Sequence, residues 1–559
     1  MMREPFSLVA PETKRLWWCR HCGVPLLKPV CEKCQREGVR VCSDMKPVFR
    51  GEHRRPTDTL PLKQAECRWE EGLWSRRRTF WFNGTRVMQV GVDGSTEPVR
   101  RPRAFTRPVR DGVSGRTLYV ANRSSLDKLE SEALAFISKI TREHPGRRPV
   151  VAFSGGKDST VVSHLVCAAL RTRNILHVFG DTTMEYPDTY RYILRFRRNS
   201  PRTPFVQGAS HHSFTEMCKL IGPPSRMNAW CCSVFKAAPI SAALSRSEGT
   251  QGVISFEGIR RAESHRRRNR QPTFQNKKIA RQLSAYPILD WREVEVWLYI
   301  LSKGLDFNDA YRRGFSRVGC LYCPNNVSSN ESLIRTYYPT QARGWETFLR
   351  DFARSCGKSD PVEYVASGAW KMRIGAGEGR AGASVRKTPC LKNPNAMHLI
   401  LDKETDNGLF ERFKPFGKLD AYSDTVGSGV VVSDSASGEK LFVVKKVRDI
   451  DILRRESKLD PRWKLGREFL CVDLLTSRRA FTTMRTIERQ VKKSQVCVAC
   501  GACVGVCPAN AIAVNPHFRI LAEKCVHCGR CLSTKYLRDS CVALHALQQS
   551  TKYRDGNRI

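Results

Sequence analysis

Val150-Val151-Ala152-Phe153-Ser154-Gly155-Gly156-Lys157-Asp158-Ser159-Thr160 is a short apolar strand that runs into a glycine-rich turn and on into the apolar helical pattern of Val161 to Leu170. The turn has the composition of a phosphate cradle. Two glycines let backbone N–H groups converge as a nest, Ser154, Ser159 and Thr160 add hydroxyls, and the helix start adds the positive end of its dipole. Lys157 brings a charge for the same anion. A Walker loop needs four residues between its first glycine and Gly-Lys. This stretch lacks them, which disfavours the nucleotide site of a kinase or motor.

Outward from the cradle, Leu126 to Ile140 carries helical spacing and leads into its strand. Ile175 to Phe179 reads as a second buried strand, ending in Gly180-Asp181-Thr182-Thr183, and Pro187-Asp188-Thr189 opens another helix. This order predicts an α/β fold, a doubly wound parallel sheet with ligand at the carboxyl ends of its strands. A third strand, Gly252 to Phe256, runs into Glu257-Gly258-Ile259-Arg260-Arg261-Ala262-Glu263-Ser264, with Arg266, Arg267, Arg268 and Arg270 close behind. Such guanidinium density suits bidentate binding of phosphate or sulfate; a solvated basic loop would look the same.

The chain has 23 cysteines. Met1-Met2-Arg3-Glu4-Pro5 lacks the apolar core of a signal peptide, and no stretch approaches a membrane span, so a cytoplasmic location is expected. Clustered thiols in a reducing compartment are metal ligands more often than disulfides. Cys19-x-x-Cys22 and Cys31-x-x-Cys34 are two knuckles that predict a structural zinc ribbon, with a rubredoxin-like iron site as the lesser alternative. Cys42 and Cys67 read as ordinary buried thiols. Near the end, Cys497, Cys500, Cys503 and Cys507-Pro508 form the bacterial ferredoxin run, whose fourth cysteine serves the other cluster. That other set is Cys525, Cys528 and Cys531, leaving Cys541 to return to the first, and Ala511 to Val514 supplies a strand. Two further pairs, Cys231-Cys232 and Cys320-x-x-Cys323, lie 87 residues apart. Together they could complete one four-thiolate site.

Ser154-Gly155-Gly156-Lys157-Asp158-Ser159 resembles the PP-loop of the ATP pyrophosphatase superfamily, and residues 148 to 330 resemble its PAPS/APS reductase (phosphoadenosine phosphosulfate reductase) branch. The resemblance implies a nucleotide bordered by Asp181 and Thr182, with Arg260 as an anion ligand. Cys231-Cys232-Ser233-Val234-Phe235-Lys236 with Pro239, the helix entry Pro287 to Trp291, and Cys320-Leu321-Tyr322-Cys323 are similar to segments that hold one 4Fe-4S cluster beside the nucleotide; zinc on the same thiolates is the competing reading. The reductases' tail, Glu-Cys-Gly-Leu-His, is absent. Cys356-Gly357 is its only trace, so Cys356 is either a nucleophile or an ordinary buried cysteine, and Cys390 is a weaker candidate still.

The formal charge of +41 points to a polyanionic partner, nucleic acid first, with a solvated basic surface as the bland alternative. Thr79 to Phe82 and Arg86 to Val90 alternate as strands around Asn83-Gly84, a hairpin turn. Arg76, Arg77, Arg78 and the arginines from Arg100 to Arg110 interleave with Trp74, Trp81 and Phe105, which would suit an RNA-binding face or a plain basic loop. From Asn393 to Arg479 the sequence reads as a small α+β linker without chemistry, its Lys445-Lys446 and Arg454-Arg455 extending the basic surface.

The expected division is therefore a zinc ribbon (1–48), a β-rich module (49–122), the PP-loop domain (123–392), the linker (393–490) and a ferredoxin domain (491–559). The expected cofactors are ATP with Mg, or PAPS/APS, together with Zn and three 4Fe-4S clusters. Three functions compete. In the first, ATP adenylates an oxygen on tRNA or DNA and sulfur replaces AMP, with Lys157, Asp158, Arg260 and Cys356 as catalytic candidates and with separate sulfur-donor and electron-donor proteins. In the second, PAPS or APS is reduced to sulfite. The third is a non-catalytic electron-transfer or nucleic-acid-binding scaffold, against which the intact cradle argues.

Overall fold

The computed structural model describes residues 15–52, 68–90, 96–98, 113–245, 251–372, 385–406, 408–457, 467–476, 481–515, 517–537 and 540–546. Cys67, Phe105 and the arginines from Arg100 to Arg110 lie outside these residues.

The centre is a six-stranded sheet in the order Phe205–Ala209, Leu176–Asp181, Arg148–Ala152, Val253–Phe256, Gln282–Ala285, Thr273–Gln275. The first five strands are parallel and the last is antiparallel. Buried parallel strands read as near-continuous apolar runs because both faces are covered, and Val253–Phe256 is buried at every position. Helix Lys157–Ala169 packs between helices Arg123–Glu143 and Glu293–Ser302 on one side, while helix Ala238–Leu244 covers Leu176–Asp181 and Phe205–Ala209. The doubly wound α/β fold is thus the one that the strand and helix order predicts.

The N-terminal modules are not appended beads. The ribbon sheet Trp17–Cys19, Val24–Leu26 and Val39–Arg40 and the second, antiparallel sheet meet at Trp18, whose indole N–H donates to Asn83 Oδ1 at 2.9 Å. Asn83 and Gly84 take φ +44 and +76, the left-handed pair that a tight two-residue hairpin needs. A side chain at Gly84 would strike Trp18 Cγ at 2.5 Å. The boundary expected at 48/49 falls inside this second sheet, because Lys46–Pro47 pairs with Leu73–Arg76. One apolar core runs from Leu16 and Trp18 through Phe153 to Tyr311. Trp74 and Trp81 belong to it, at 0% and 8% exposure. They are therefore core residues, which corrects the expected stacking face; Arg77 and Arg78, at the turn between Leu73–Arg76 and Thr79–Phe82, are exposed.

The segment expected to be a linker is a six-stranded antiparallel sheet, in the order Val385–Pro389, Ala396–Leu401, Glu468–Leu474, Lys440–Val447, Gly427–Ser433, Lys418–Ser423. Its first strand begins before the expected boundary at 392/393. Helix Met484–Val496 spans the one at 490/491, packing Ile487 and Val491 on the sheet together with Leu532 of the cysteine-rich tail. Among the described residues, the tail carries a short hairpin, Ile512–Ala513 with Arg519–Ile520.

Candidate active site

The carboxyl ends of the parallel strands deliver the parts of the site. Gly155 takes φ +72 and Gly156 caps helix Lys157–Ala169. The turn is braced from behind: Asn308 Nδ2 donates to the Gly155 carbonyl at 3.1 Å, and the Lys157 N–H donates to the Tyr311 hydroxyl at 3.0 Å. Ser159 and Thr160 hydroxyls donate to the Gly156 carbonyl at 2.9 and 3.1 Å. Those two hydroxyls therefore shape the cradle, while Ser154 is its exposed hydroxyl.

Lys157 and Arg260 are each only 3% exposed. Lys157 Nζ lies 3.0 Å from Asp158 Oδ2 and 3.7 Å from Glu293 Oε1, and Arg260 Nε donates to Asp158 Oδ1 at 2.5 Å. Burial would push the Asp158 carboxyl up, but the two cations outweigh it and hold it at about 2. Burial would pull Lys157 down, and Asp158, Tyr311 and Glu293 instead keep it above its ordinary value. Asp158 is consequently a fixed anion that positions two cations and not a proton carrier at neutral pH. Arg260 reaches it because Gly258 lies on the helix start, where a Cβ would sit 2.6 Å from Asp158 C and 2.8 Å from Ser159 N.

The arginines that follow do not converge on one anion. Arg267 pairs with Glu263, and Arg270 donates to the Tyr286 hydroxyl at 3.2 Å, whereas Arg266 and Arg268 are exposed. The basic-loop alternative holds for that run.

Asp181 ends its strand with both oxygens engaged, accepting from Thr183 N and Tyr190 Oη at 2.7 Å and from Gln207 Nε2 at 2.6 Å. Thr183 stands at φ +60, where a β-branched residue is an outlier that concentrates at functional sites. Thr182 Oγ1 donates to Glu185 Oε1 at 3.0 Å and lies 3.4 Å from Cys320 Sγ. Lys236 Nζ pairs with the same Glu185 oxygen at 3.3 Å. Asp181 and Thr182 thus link the cradle's edge to the cysteines through two residues whose roles the sequence left unassigned, Glu185 and Lys236.

Cys231 and Cys232 open a π-helical turn, Cys232–Ala237, a rare form frequent at functional sites. The hydrogen bond with Cys232 and burial push the Cys231 thiol well above its ordinary value, and the neighbouring Cys320 and Cys323 add to the shift. The Cys231 thiol lowers Cys232 to about 6, against burial, with help from Lys278, Lys236 and Arg317. Four soft donors set among cations fit an anionic iron–sulfur cluster. In the ribbon, Cys19, Cys22, Cys31 and Cys34 place their sulfurs within 4.8 Å of one another, which fits tetrahedral zinc.

The tail's cysteines line two cavities. Cys497, Cys500, Cys503 and Cys541 line one cavity of ≈ 40 Å³, and Cys507, Cys525, Cys528 and Cys531 line a second of ≈ 20 Å³, with Cys531 also reaching the first. Buried Lys493 stands between the sets and donates to the Cys531 carbonyl at 2.9 Å, its ammonium lowered to about 8 by burial. The first set docks on the central site. Val498 and Cys500 share an apolar cluster with Trp230, Cys231 and Tyr322, His212 meets the Ala499 carbonyl at 3.1 Å, and the Ala280 N–H donates to the Gly505 carbonyl at 3.0 Å.

Cys356 caps the C-terminus of helix Pro339–Ser355 and is 4% exposed. A thiol so covered cannot attack a bound sulfur unless the helix end opens, so the buried reading is the better one. Cys42 is half-buried and donates to the Asp44 carbonyl at 3.1 Å.

A phosphate-cradling parallel sheet with a thiolate quartet at its rim defines a PP-loop nucleotide domain with a cysteine centre. Residues 148–326 match the model of the phosphoadenosine phosphosulfate reductase domain, and residues 493–513 match that of the 4Fe-4S binding domain. The chain thus contains a phosphoadenosine phosphosulfate reductase domain and a ferredoxin-type 4Fe-4S motif. Two uncharacterised proteins of Methanocaldococcus jannaschii are 32% identical over 254 residues and 29% over 235, covering 45% and 41% of this chain. The matches span 51% and 55% of those two proteins, about half their length. An adenosine 5'-phosphosulfate reductase of Bacillus mycoides is 27% identical over 31% of this chain and 72% of its own. Among solved structures, the U34-tRNA thiolase of Methanococcus maripaludis with its 4Fe-4S cluster has TM-score 0.27 at 14% identity, over 44% of this chain and 86% of its own. The phosphoadenylyl-sulfate reductase of Candida auris has TM-score 0.26 at 15% identity, over 36% and 95%. The relatives that have a named activity are enzymes. Among the described residues, no helix is long and apolar enough to cross a membrane.

Proposed function

We propose that this chain is an adenylating enzyme of redox sulfur chemistry acting on a nucleic acid, of the tRNA or DNA thiolation type. The observation that carries the reading is the contact between the strand end and the thiols: Thr182, next to Asp181, donates to Glu185, which also pairs with Lys236, and the same Thr182 hydroxyl lies 3.4 Å from Cys320 Sγ. In this reading the backbone of Ser154 to Thr160 holds the phosphates of ATP, and Lys157 and Arg260 exchange part of their pairing with Asp158 for the phosphate oxygens. The substrate oxygen joins the α-phosphorus and pyrophosphate leaves. Sulfur at the sulfide level then replaces that oxygen and AMP leaves, with no net redox change, whereas sulfur arriving at the sulfane level takes up two electrons. Clusters held by Cys231, Cys232, Cys320 and Cys323 and by the two tail sets would supply one-electron transfers, and zinc in the ribbon would supply fixed structure. Before ATP binds, both oxygens of Asp158 face cations, so Mg would enter with ATP. The basic surface, with exposed Arg77, Arg78, Arg266 and Arg268, suits a nucleic-acid partner, and separate proteins would donate sulfur and electrons.

Reduction of PAPS or APS is the second reading, favoured by the match to the reductase domain. Against it stand the absent Glu-Cys-Gly-Leu-His tail and the burial of Cys356. Anaerobic turnover of cluster-loaded protein with labelled ATP, with and without bulk tRNA or DNA, separates the two. AMP and pyrophosphate formed only with nucleic acid are expected; sulfite from PAPS or APS with ATP untouched would overturn the proposal.

A further inference from the structure

The antiparallel sheet of residues 385–474 carries a group of ligand-type side chains far from the thiol sites in sequence. Cross-strand neighbours share a face, as do residues two apart on one strand. His398 pairs with Cys471 on the adjacent strand, and the Cys390 N–H donates to the Ala396 carbonyl at 3.1 Å, two residues before His398. Cys390, His398 and Cys471 therefore occupy one face, while Leu399, Leu401, Leu470 and Val472 fill the core on the other. Helix Ile450–Glu456 closes the region: Cys390 bridges to Ser457, and the Leu391 N–H donates to the Glu456 carbonyl at 2.7 Å.

The result is a compact donor set. Cys390 Sγ, a ring nitrogen of His398 and a carboxylate oxygen of Glu456 all lie within 4.8 Å of one another. A second observation points to a ligand. His398 is 0% exposed, and neither Nδ1 nor Nε2 has a hydrogen-bond partner. A fully buried imidazole with both nitrogens unmet is costly and calls for something to satisfy it. Lys392 Nζ holds Glu456 Oε1 at 3.1 Å, which orients the carboxylate, as an outer partner does for a metal ligand. Sulfur, imidazole and carboxylate are zinc's donor types, and one thiol with one imidazole and one carboxylate is too few thiolates for a cysteine-ligated iron–sulfur cluster.

We propose that Cys390, His398 and Glu456 bind one zinc ion that staples the 385–401 hairpin to helix Ile450–Glu456. This site is separate from the ribbon and independent of the reaction at the cradle. The test is zinc-to-protein stoichiometry of the full chain by mass spectrometry after dialysis against a weak chelator. Wild type is expected to hold two zinc ions per chain, His398→Ala one, and the ribbon variant Cys22→Ser one. In Cys22→Ser the remaining zinc should show mixed sulfur and nitrogen or oxygen neighbours by X-ray absorption. Glu456→Gln, which keeps the packing, should lose its second zinc to a lower chelator concentration than wild type, so the proposal stays testable if His398→Ala fails to fold. One zinc in wild type, an unchanged count in His398→Ala, wild-type retention in Glu456→Gln, or an all-sulfur shell in Cys22→Ser would each overturn it.

Discussion

Asp158 is the residue on which the cradle's electrostatics turn. It neutralises Lys157 and Arg260, both nearly buried, so Asp158→Asn would leave Lys157 with only Glu293, 3.7 Å away, and Arg260 without its short carboxylate partner. Breaking a buried pair in this way costs about 3–5 kcal/mol. Unfolding midpoints should fall accordingly, and nucleotide turnover should be lost with them. The sign of the pH dependence follows from the depressed value of about 2. A lowered carboxyl contributes stability that is fully present above its unfolded value of about 3.8 and is lost as pH falls toward the folded value. Stability from this group should therefore be flat between about pH 5 and 8, and a slope there in wild type that Asp158→Asn removes would contradict the assignment.

At the scale of elements, close approach decides which glycines matter. Gly258 lets the Arg260 turn rest on the start of helix Lys157–Ala169, and a Cβ 2.6 Å from Asp158 C has only backbone to push against. Gly258→Ala should cost about 1–3 kcal/mol and weaken ATP binding in a calorimetric titration. Gly344, inside helix Pro339–Ser355 with nothing within 4 Å, is the contrast. There alanine should stabilise by about 0.5–1 kcal/mol. The second sheet offers another pair of outcomes: Trp74→Ala should cost about 3–5 kcal/mol because the ring is core. Arg77→Glu with Arg78→Glu should leave stability unchanged and weaken binding to bulk tRNA in a salt-dependent manner.

Over the whole molecule, the tail cysteines pack against the π-turn thiols, which lie beside the strand end that carries Asp181 and Thr182, and in the proposed reading this order is an electron relay. The tail approaches the core closely at Gly505, where a Cβ would lie 2.7 Å from the Lys278 carbonyl. Gly505→Val should part the tail from the core and slow reduction of the central site in stopped-flow measurements, while iron content per chain stays the same. Equal rates in variant and wild type would mean that electrons reach the central thiols by another route.

The local elements were legible because their signals are local. A strand, a Gly-Gly turn and a helix in register at Val150 to Leu170, the Asn83-Gly84 hairpin, the two zinc knuckles and the ferredoxin run each depend on backbone conformation or ligand spacing over a few residues. The ferredoxin run also led to the expectation that Cys541 stands with Cys497, Cys500 and Cys503, which line one cavity with it. Residues brought in from a distance were not: Tyr311 and Asn308 behind the loop, Glu185 between Thr182 and Lys236, and His398 beside Cys390 have no periodicity or motif to mark them. Trp74 and Trp81 were misread as a stacking face because arginine and tryptophan alternate equally well on a basic surface and on a strand whose one face is core. The amino-acid sequence by itself determined the elements, the cradle and the thiol sets, through backbone preference and short spacings. Which polar groups meet, and which aromatic rings are buried, only the tertiary structure decided, because burial and pairing depend on the packing of segments tens to hundreds of residues apart.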